Sequence, residues 1–412
     1  MLTSLLRSVS FRGFSLIVSF GITTYITRSF NTEQAGELLY IISTSLLISG
    51  FLMLGCDQRI VRDIATNKNS ISKIMSGYQA IVVLVSLLVF TVLSLLSVTI
   101  EMEDYWFIFF CGLLLSLIKI SSNSFIGMGE INRSVLFDGL IYNVLFLIMS
   151  VLFNSGDIYD YKLYFLISTF LSLIISCIYF RARHFVGLIP DFKRAISILL
   201  DKSILHYFMI MVVSLTVSNF PIQFGKLQIE LKELAYIFVS IKVSSIIRTV
   251  YVIINSKYSH SYAELSQSKD VKSLRAILLK NSRVFLLTSL TFGILIFFFS
   301  QSILSMFGEE YREANTYLLV ITLGQVIFCS LGSVGNVLLM WGYEVDVRKY
   351  LILNAIVNIP LCILLTNYFG ALGLAISIMS FTLGQNALLL IPFTKRTSLN
   401  YFKLILGKRN EE

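Results

Sequence analysis

Tyr105-Trp106-Phe107-Ile108-Phe109-Phe110-Cys111-Gly112-Leu113-Leu114-Leu115-Ser116-Leu117-Ile118-Lys119-Ile120-Ser121-Ser122-Asn123-Ser124-Phe125-Ile126 is a run of 22 residues with one charge, Lys119. A hydrocarbon core about 30 Å thick is crossed by about 20 apolar residues in a helix, so this stretch reads as a transmembrane helix. The whole chain supports that reading. Of its 412 residues 56% are hydrophobic, 14% are charged and four are proline, whereas soluble domains are about 25% charged. Similar stretches lie at 9–28, 35–54, 74–99, 135–154, 162–181, 205–225, 233–255, 284–304, 315–341, 350–367 and 371–393. The fold class is therefore an all-α polytopic membrane protein of about 12 transmembrane helices.

The basic residues orient these spans. With the N-terminus inside, 25 of the 33 Lys and Arg fall in inside segments and five in outside loops, the asymmetry expected when positive loops stay cytoplasmic. Outside loops are instead acidic, as in Glu101-Met102-Glu103-Asp104 and Glu309-Glu310. This predicts a multi-pass protein of the bacterial cytoplasmic (inner) membrane with both termini cytoplasmic. The N-terminal basic-then-apolar pattern is read as an uncleaved first span, because no small-x-small cleavage site follows it.

The chain also repeats itself. Glu33 to Tyr40 opens the second span as Lys232-Glu233-Leu234-Ala235-Tyr236 opens the eighth, and Gly127 to Arg133 is echoed by Trp341 to Arg348. Each half holds six spans, so the copies keep one orientation and imply two parallel six-helix lobes around a central cavity. The predicted organisation is an N-terminal lobe over 1–184, a basic cytoplasmic connector over 185–204 and a C-terminal lobe over 205–412. In the longest inside loop, Ser256 to Arg283, the helical spacing of Val271, Leu274, Ile277 and Leu278 predicts an interfacial helix at the anionic leaflet.

Several function classes are excluded. His184, His206 and His260 stand alone, so no metal or other cofactor is expected. Cys56, Cys111, Cys177, Cys329 and Cys362 are odd in number, form no C-x-x-C and read as packing residues. No phosphate-binding loop or hydrolytic triad is present, so the protein is not read as an enzyme. The net charge of +9 sits in short loops rather than on a nucleic-acid-binding face, and no nucleic acid is expected as a partner.

Charges inside spans are costly, about 2.5–3.5 kcal/mol each on insertion scales, and here they are cations. Arg12 shares one helical stripe with Ser8, Ser15, Ser19 and Thr23; Lys119 shares a face with Gly112, Ser116, Ser122 and Asn123. In the eighth span Arg248 aligns with Ser244, Tyr251 and Asn255, and Lys242 lies about 120° away. Gln325, Cys329, Gly332 and Asn336 fall at helical spacing in the tenth span, and Asn354 and Asn358 in the eleventh. With no acidic residue in the middle of spans one, four or eight, the pattern suggests a water-filled cavity awaiting an anion. Its cationic binding residues would be Arg12, Lys119, Lys242 and Arg248, and its polar lining Ser15, Ser19, Asn123, Asn255, Gln325 and Asn336. Asp57 and Asp138 are assigned to Arg59, Arg62 or Arg133.

The motifs Arg28 to Gly36, Leu54 to Arg62, Phe307 to Tyr311 and Asn367 to Gly373, in this order, resemble those of the polysaccharide (O-antigen repeat-unit) flippases of the MATE-like multidrug/oligosaccharidyl-lipid/polysaccharide superfamily. The resemblance covers nearly the whole chain. It implies transfer of undecaprenyl-diphosphate-linked sugars to the outer leaflet by alternating access. Membrane lipids are implied partners, and polysaccharide polymerase and chain-length proteins possible ones. Relatives place cavity cations in spans one, two and eight; Arg12 fits the first, Lys242 or Arg248 the last, and no basic residue lies within span two. The acidic residue of drug-exporting relatives in span one has no counterpart between Met1 and Phe30. Competing readings are export of another amphiphile (a teichoic acid precursor or a drug) and a polytopic polysaccharide polymerase.

Overall fold

In lipid every peptide group must be bonded within its own segment, so apolar runs of this length form helices. The described residues of the computed structural model, 2–66, 70–97, 104–153, 156–184, 191–200, 202–268, 270–399 and 401, contain only helices and the turns between them. Glu101, Met102 and Glu103 of the acidic loop, positions 185–190 of the connector, Lys269 and the tail beyond Tyr401 lie outside them, as do the side chains of Ser8, His184, His206 and His260.

In chain order the first helices are α1 (Leu2–Ser29), α2 (Thr32–Leu52), α3 (Cys56–Thr66), α4 (Ile71–Ser97) and α5 (Tyr105–Gly127). A broken span follows: α6 (Ile131–Val135), a π-helical turn (Leu136–Leu140) and α7 (Ile141–Leu152). Then come α8 (Ile158–His184), α9 (Phe192–Leu199), α10 (Lys202–Gln228), α11 (Leu231–Ser268) and α12 (Val271–Ser305). A 3-10 turn (Glu309–Ala314) leads to α13 (Asn315–Ser330), α14 (Val334–Met340), α15 (Glu344–Ala387) and α16 (Leu390–Thr397). By length and composition seven of the described helices can cross a membrane, and α13 with α14, bent by 45°, makes an eighth. α15 holds two spans joined at Gly370, whose φ of 55° breaks the helix. The remaining three spans are α1 and α11, whose apolar runs carry charges, and α10, whose Lys202 and Lys226 stand near its ends.

The chain divides into two compact units, Met1–Leu215 and Thr216–Glu412, so the division falls inside α10. In unit 1, α2 buries Ala35, Leu38, Ile41, Ser45, Ser49 and Leu52 along one face. It packs against α5 at Gly112, where a Cβ would lie 2.7 Å from Ile48 Cγ2; small residues at such crossings let helices approach closely where water supplies no driving force. Two short amphipathic helices close one end of this unit. Cys56, Ile60 and Ile64 of α3 join Tyr78 and Ile81 of α4, Phe125, Phe180, and Ala195 and Ile198 of α9 in one core. Residues 191–200 of the expected connector thus hold a helix docked on α4: the Asp191 N–H bonds Ser76 O at 3.2 Å, and Arg194 lies across Gly77.

In unit 2 the two arms of α15 are laced by polar side chains. Asn354 Nδ2 donates to Phe381 O and Ser377 Oγ to Cys362 Sγ across the arms, each at 3.2 Å, while Asn358 Nδ2 holds Asn354 Oδ1 at 2.7 Å within the first arm. The interfacial helix expected over Val271 to Leu278 is not a separate element. It is the first part of α12, and Leu274 and Leu278 are fully buried with Tyr262, Val334, Leu338 and Phe393. A helical apolar stripe reads alike whether protein or lipid covers it, and here protein does.

The sequence echo between Gly127 and Arg133 and between Trp341 and Arg348 has the same local structure in both units. Gly129 (φ 81°) and Gly342 (φ 78°) are left-handed. Gly129 N bonds Ile126 O and Glu130 N bonds Phe125 O; Gly342 N bonds Leu339 O and Tyr343 N bonds Leu338 O. Each is a Schellman cap, which needs a residue that tolerates positive φ after the last helical turn.

Candidate functional site

In unit 1, α1 packs on α6, the π-helical turn and α7, and that turn also meets α5. The broken span therefore touches both helices that carry the predicted cations. A π-turn inserts one extra residue and swings the following side chains around the axis. Asp138, within it, is exposed and acts electrostatically on the half-buried Arg12. The expectation of a cation without an acidic neighbour is thus corrected for Arg12: the carboxylate comes from the fifth span, which sequence spacing could not align with the first. Nor is Asp138 the partner of Arg133, which pairs with Glu130, three residues away. Arg59 pairs with Asp63 at 3.8 Å, and Asp63 also accepts from Tyr78 Oη at 2.6 Å.

Ser15 and Ser19 are half-buried on α1, one and two turns beyond Arg12, and Thr23 Oγ1 bonds back to Ser19 O at 3.1 Å. On α5, Lys119 and Asn123 are half-buried and one turn apart. Ser122 between them is buried and ties α5 to the broken span through Ser134 Oγ at 2.9 Å. Lys119 has no carboxylate partner among the described residues.

In unit 2, Lys242 is half-buried on α11. Arg248, two turns on, is exposed and lies 5.4 Å over the Phe328 ring, with no carboxylate partner among the described residues. Phe328 stands beside the break between α13 and α14. There Gly332 takes φ 67° and the helix turns, freeing carbonyls that need partners. Tyr251 Oη donates to Gly332 O at 3.2 Å, Asn386 Nδ2 to Phe328 O at 3.1 Å, and Tyr401 Oη to Ser330 O at 3.2 Å. Asn255, one turn beyond Tyr251, is half-buried.

The tenth span departs from expectation at this break. Gln325 and Cys329 are buried on α13, whereas Asn336 is half-buried on α14, beyond the turn, so the four residues do not continue one helical stripe. Gln325 Oε1 is buried without a hydrogen-bond partner among the described residues. Two features escaped sequence reading, the electrostatic influence of Asp138 on Arg12 and the Tyr251–Gly332 contact. The glycine of the latter, midway along an apolar run, was its one legible signal.

No family model and no curated protein matches the chain at the sequence level. Solved structures match it in fold. An inward-facing multidrug resistance MATE family transporter of the MOP superfamily aligns over 96% of this chain and 98% of its own, with a TM-score of 0.73 and 11% identity. The lipid II flippase MurJ, in an inward closed conformation, aligns over 97% of this chain and 90% of its own, with a TM-score of 0.68 and 17% identity. The Vibrio cholerae MATE transporter VcmN in its bent form aligns over 99% of both chains, with a TM-score of 0.60 and 12% identity. The chain has the twelve-helix fold shared by these membrane transporters and this flippase.

Proposed function

We propose that the protein is a flippase of the bacterial cytoplasmic membrane that moves undecaprenyl-diphosphate-linked oligosaccharide repeat units, of O-antigen or capsule, from the inner to the outer leaflet by alternating access. The observation that carries the reading is Arg248, a guanidinium exposed on a transmembrane helix, braced against Phe328 and without a carboxylate partner among the described residues. A diphosphate in a low-dielectric passage loses several kcal/mol of hydration unless cations replace the water. Arg12, Lys119, Lys242 and Arg248 would be those cations, with Ser15, Ser19, Asn123, Asn255, Gln325 and Asn336 offering hydrogen bonds. Outward movement of the anion is favoured by an inside-negative potential, at about 2.3 kcal/mol per charge per 100 mV.

Export of another amphiphile, a teichoic acid precursor or a drug, is the second reading, supported by the TM-score of 0.73 with a multidrug transporter. Against drug export stands α1, which carries no acidic residue. The test is complementation of a deletion strain. Arg12→Ala and Arg248→Ala should abolish surface glycan and leave lipid-linked repeat units on the inner leaflet, with the protein inserted and abundant. Lys119→Ala and Lys242→Ala should be milder. Arg→Lys at either arginine should keep partial function if a point charge suffices, and less if phosphate is gripped bidentately. Normal surface glycan in all four alanine variants sinks the mechanism.

A further inference from the structure

One buried side chain spans the break between α13 and α14. Phe328 stands in the last turn of α13, and in a continuous helix its carbonyl would accept from the amide four positions on. Here Gly332 N turns instead to Cys329 O at 3.0 Å, so Phe328 O needs another donor. Asn386, in the last turn of α15, supplies it: Nδ2 donates to Phe328 O at 3.1 Å and reaches Gly332 O at 3.4 Å. Both neighbours are acceptors, so the amide nitrogen must be the atom that faces them. Asn386 is 4% exposed. A single amide thus ties together the two sides of the break.

The backbone it fixes carries the ring on which Arg248 rests. Phe328 is buried, and its ring meets the Tyr251 ring at 5.1 Å and the Arg248 guanidinium at 5.4 Å. Arg248 is exposed and has no carboxylate partner among the described residues. A long side chain with its charged end in the open samples many rotamers, and a cation–π contact orients it only as firmly as the ring is held. The links run from Arg248 on α11, through the ring and carbonyl of Phe328 on α13, to Asn386 on α15.

We propose that Asn386 is a positioning residue for Arg248: by holding the Phe328 carbonyl at the break it keeps the ring, and with it the guanidinium, set to receive an anionic diphosphate headgroup. Buried as it is, Asn386 acts through Phe328 and not on the ligand. The proposal rests on the flippase reading and deepens it.

The test is a double-mutant cycle on the binding of undecaprenyl diphosphate to the full-length protein in phosphatidylcholine nanodiscs, with thermal unfolding followed in the same particles. Asn386→Leu should weaken binding about fivefold when Arg248 is present and leave it unchanged in the Arg248→Ala background. An asparagine that only supports the fold would lower affinity by the same factor in both backgrounds. Phe328→Leu keeps the carbonyl and its bond to Asn386 but removes the ring, and should show the same loss with Arg248 present and none without it. If Asn386→Leu acts equally in both backgrounds, or has no effect in either, the proposal fails and the flippase reading stands. If Asn386→Leu does not fold, Phe328→Leu decides, and unchanged affinity in that variant overturns the proposal. If Arg248→Ala binds as tightly as wild type, the diphosphate does not rest on Arg248 and the proposal fails with that placement. If wild type does not bind undecaprenyl diphosphate, the flippase reading fails and this proposal with it.

Discussion

Lys162 Nζ lies 2.7 Å from Asp104 Oδ2 and 2.9 Å from Glu37 Oε1, in a setting that leaves the lysine 5% exposed. The three residues come from α8, the residue before α5, and α2, so one ammonium joins three helices of unit 1. The Tyr159 ring, 4.8 Å away, covers it further. Burying a lysine is costly, and two carboxylates with short bonds offset that cost.

Lys162→Met should therefore destabilise the protein strongly, by about 3–5 kcal/mol, because it leaves two carboxylates close together without their cation. Thermal unfolding in detergent measures this. The triple variant Lys162→Met, Glu37→Gln, Asp104→Asn should recover most of the loss. A single variant that unfolds like wild type would show that the cluster contributes nothing.

Gly332→Ala should destabilise unit 2 by about 1–3 kcal/mol from its left-handed backbone alone, and by more because the Tyr401 hydroxyl occupies the space of the new methyl. Tyr401→Phe in the same chain should relieve part of the clash but not the backbone strain. Unfolding of the two variants side by side separates these contributions.

Asp270 caps α12, accepting from Lys272 N at 3.1 Å and Ser273 N at 3.0 Å. The Ser273 hydroxyl, more than these amides, holds its carboxyl below the usual range. A depressed carboxylate stabilises the fold above its unfolded-state pKa, and that contribution disappears as pH falls through the folded value. Asp270→Asn should keep the cap at neutral pH and flatten the acid limb of the stability profile, whereas Asp270→Ala should lose stability at both ends. Melting temperatures from pH 7 downward distinguish them.

Topology provides a test of the twelve-span assignment. Single cysteines at Glu309 should react with an impermeant thiol reagent from outside the cell, and at Lys193 and Lys272 only after permeabilisation. All three side chains are exposed. Labelling at Glu309 from inside would overturn the two-lobe arrangement.

The twelve spans follow from the sequence because about 20 apolar residues in lipid have few conformations open to them, and the paired Gly129 and Gly342 turns follow because glycine alone takes positive φ without strain. Cations in spans are equally legible, since each carries an insertion cost wherever it sits. What faces them was not. Asp138 comes within electrostatic reach of Arg12 through the packing of α1 on the broken fifth span, and at Gly332, where the stripe through Gln325 ends, side chains far away in the chain hold the freed carbonyls. Leu274 and Leu278 make the same point: periodicity marks a buried face, and tertiary packing decides whether lipid or protein buries it. The sequence by itself determined the solvent, the number of spans and which residues are charged within them. The tertiary structure decided which charges meet, because that depends on contacts between helices far apart in the chain.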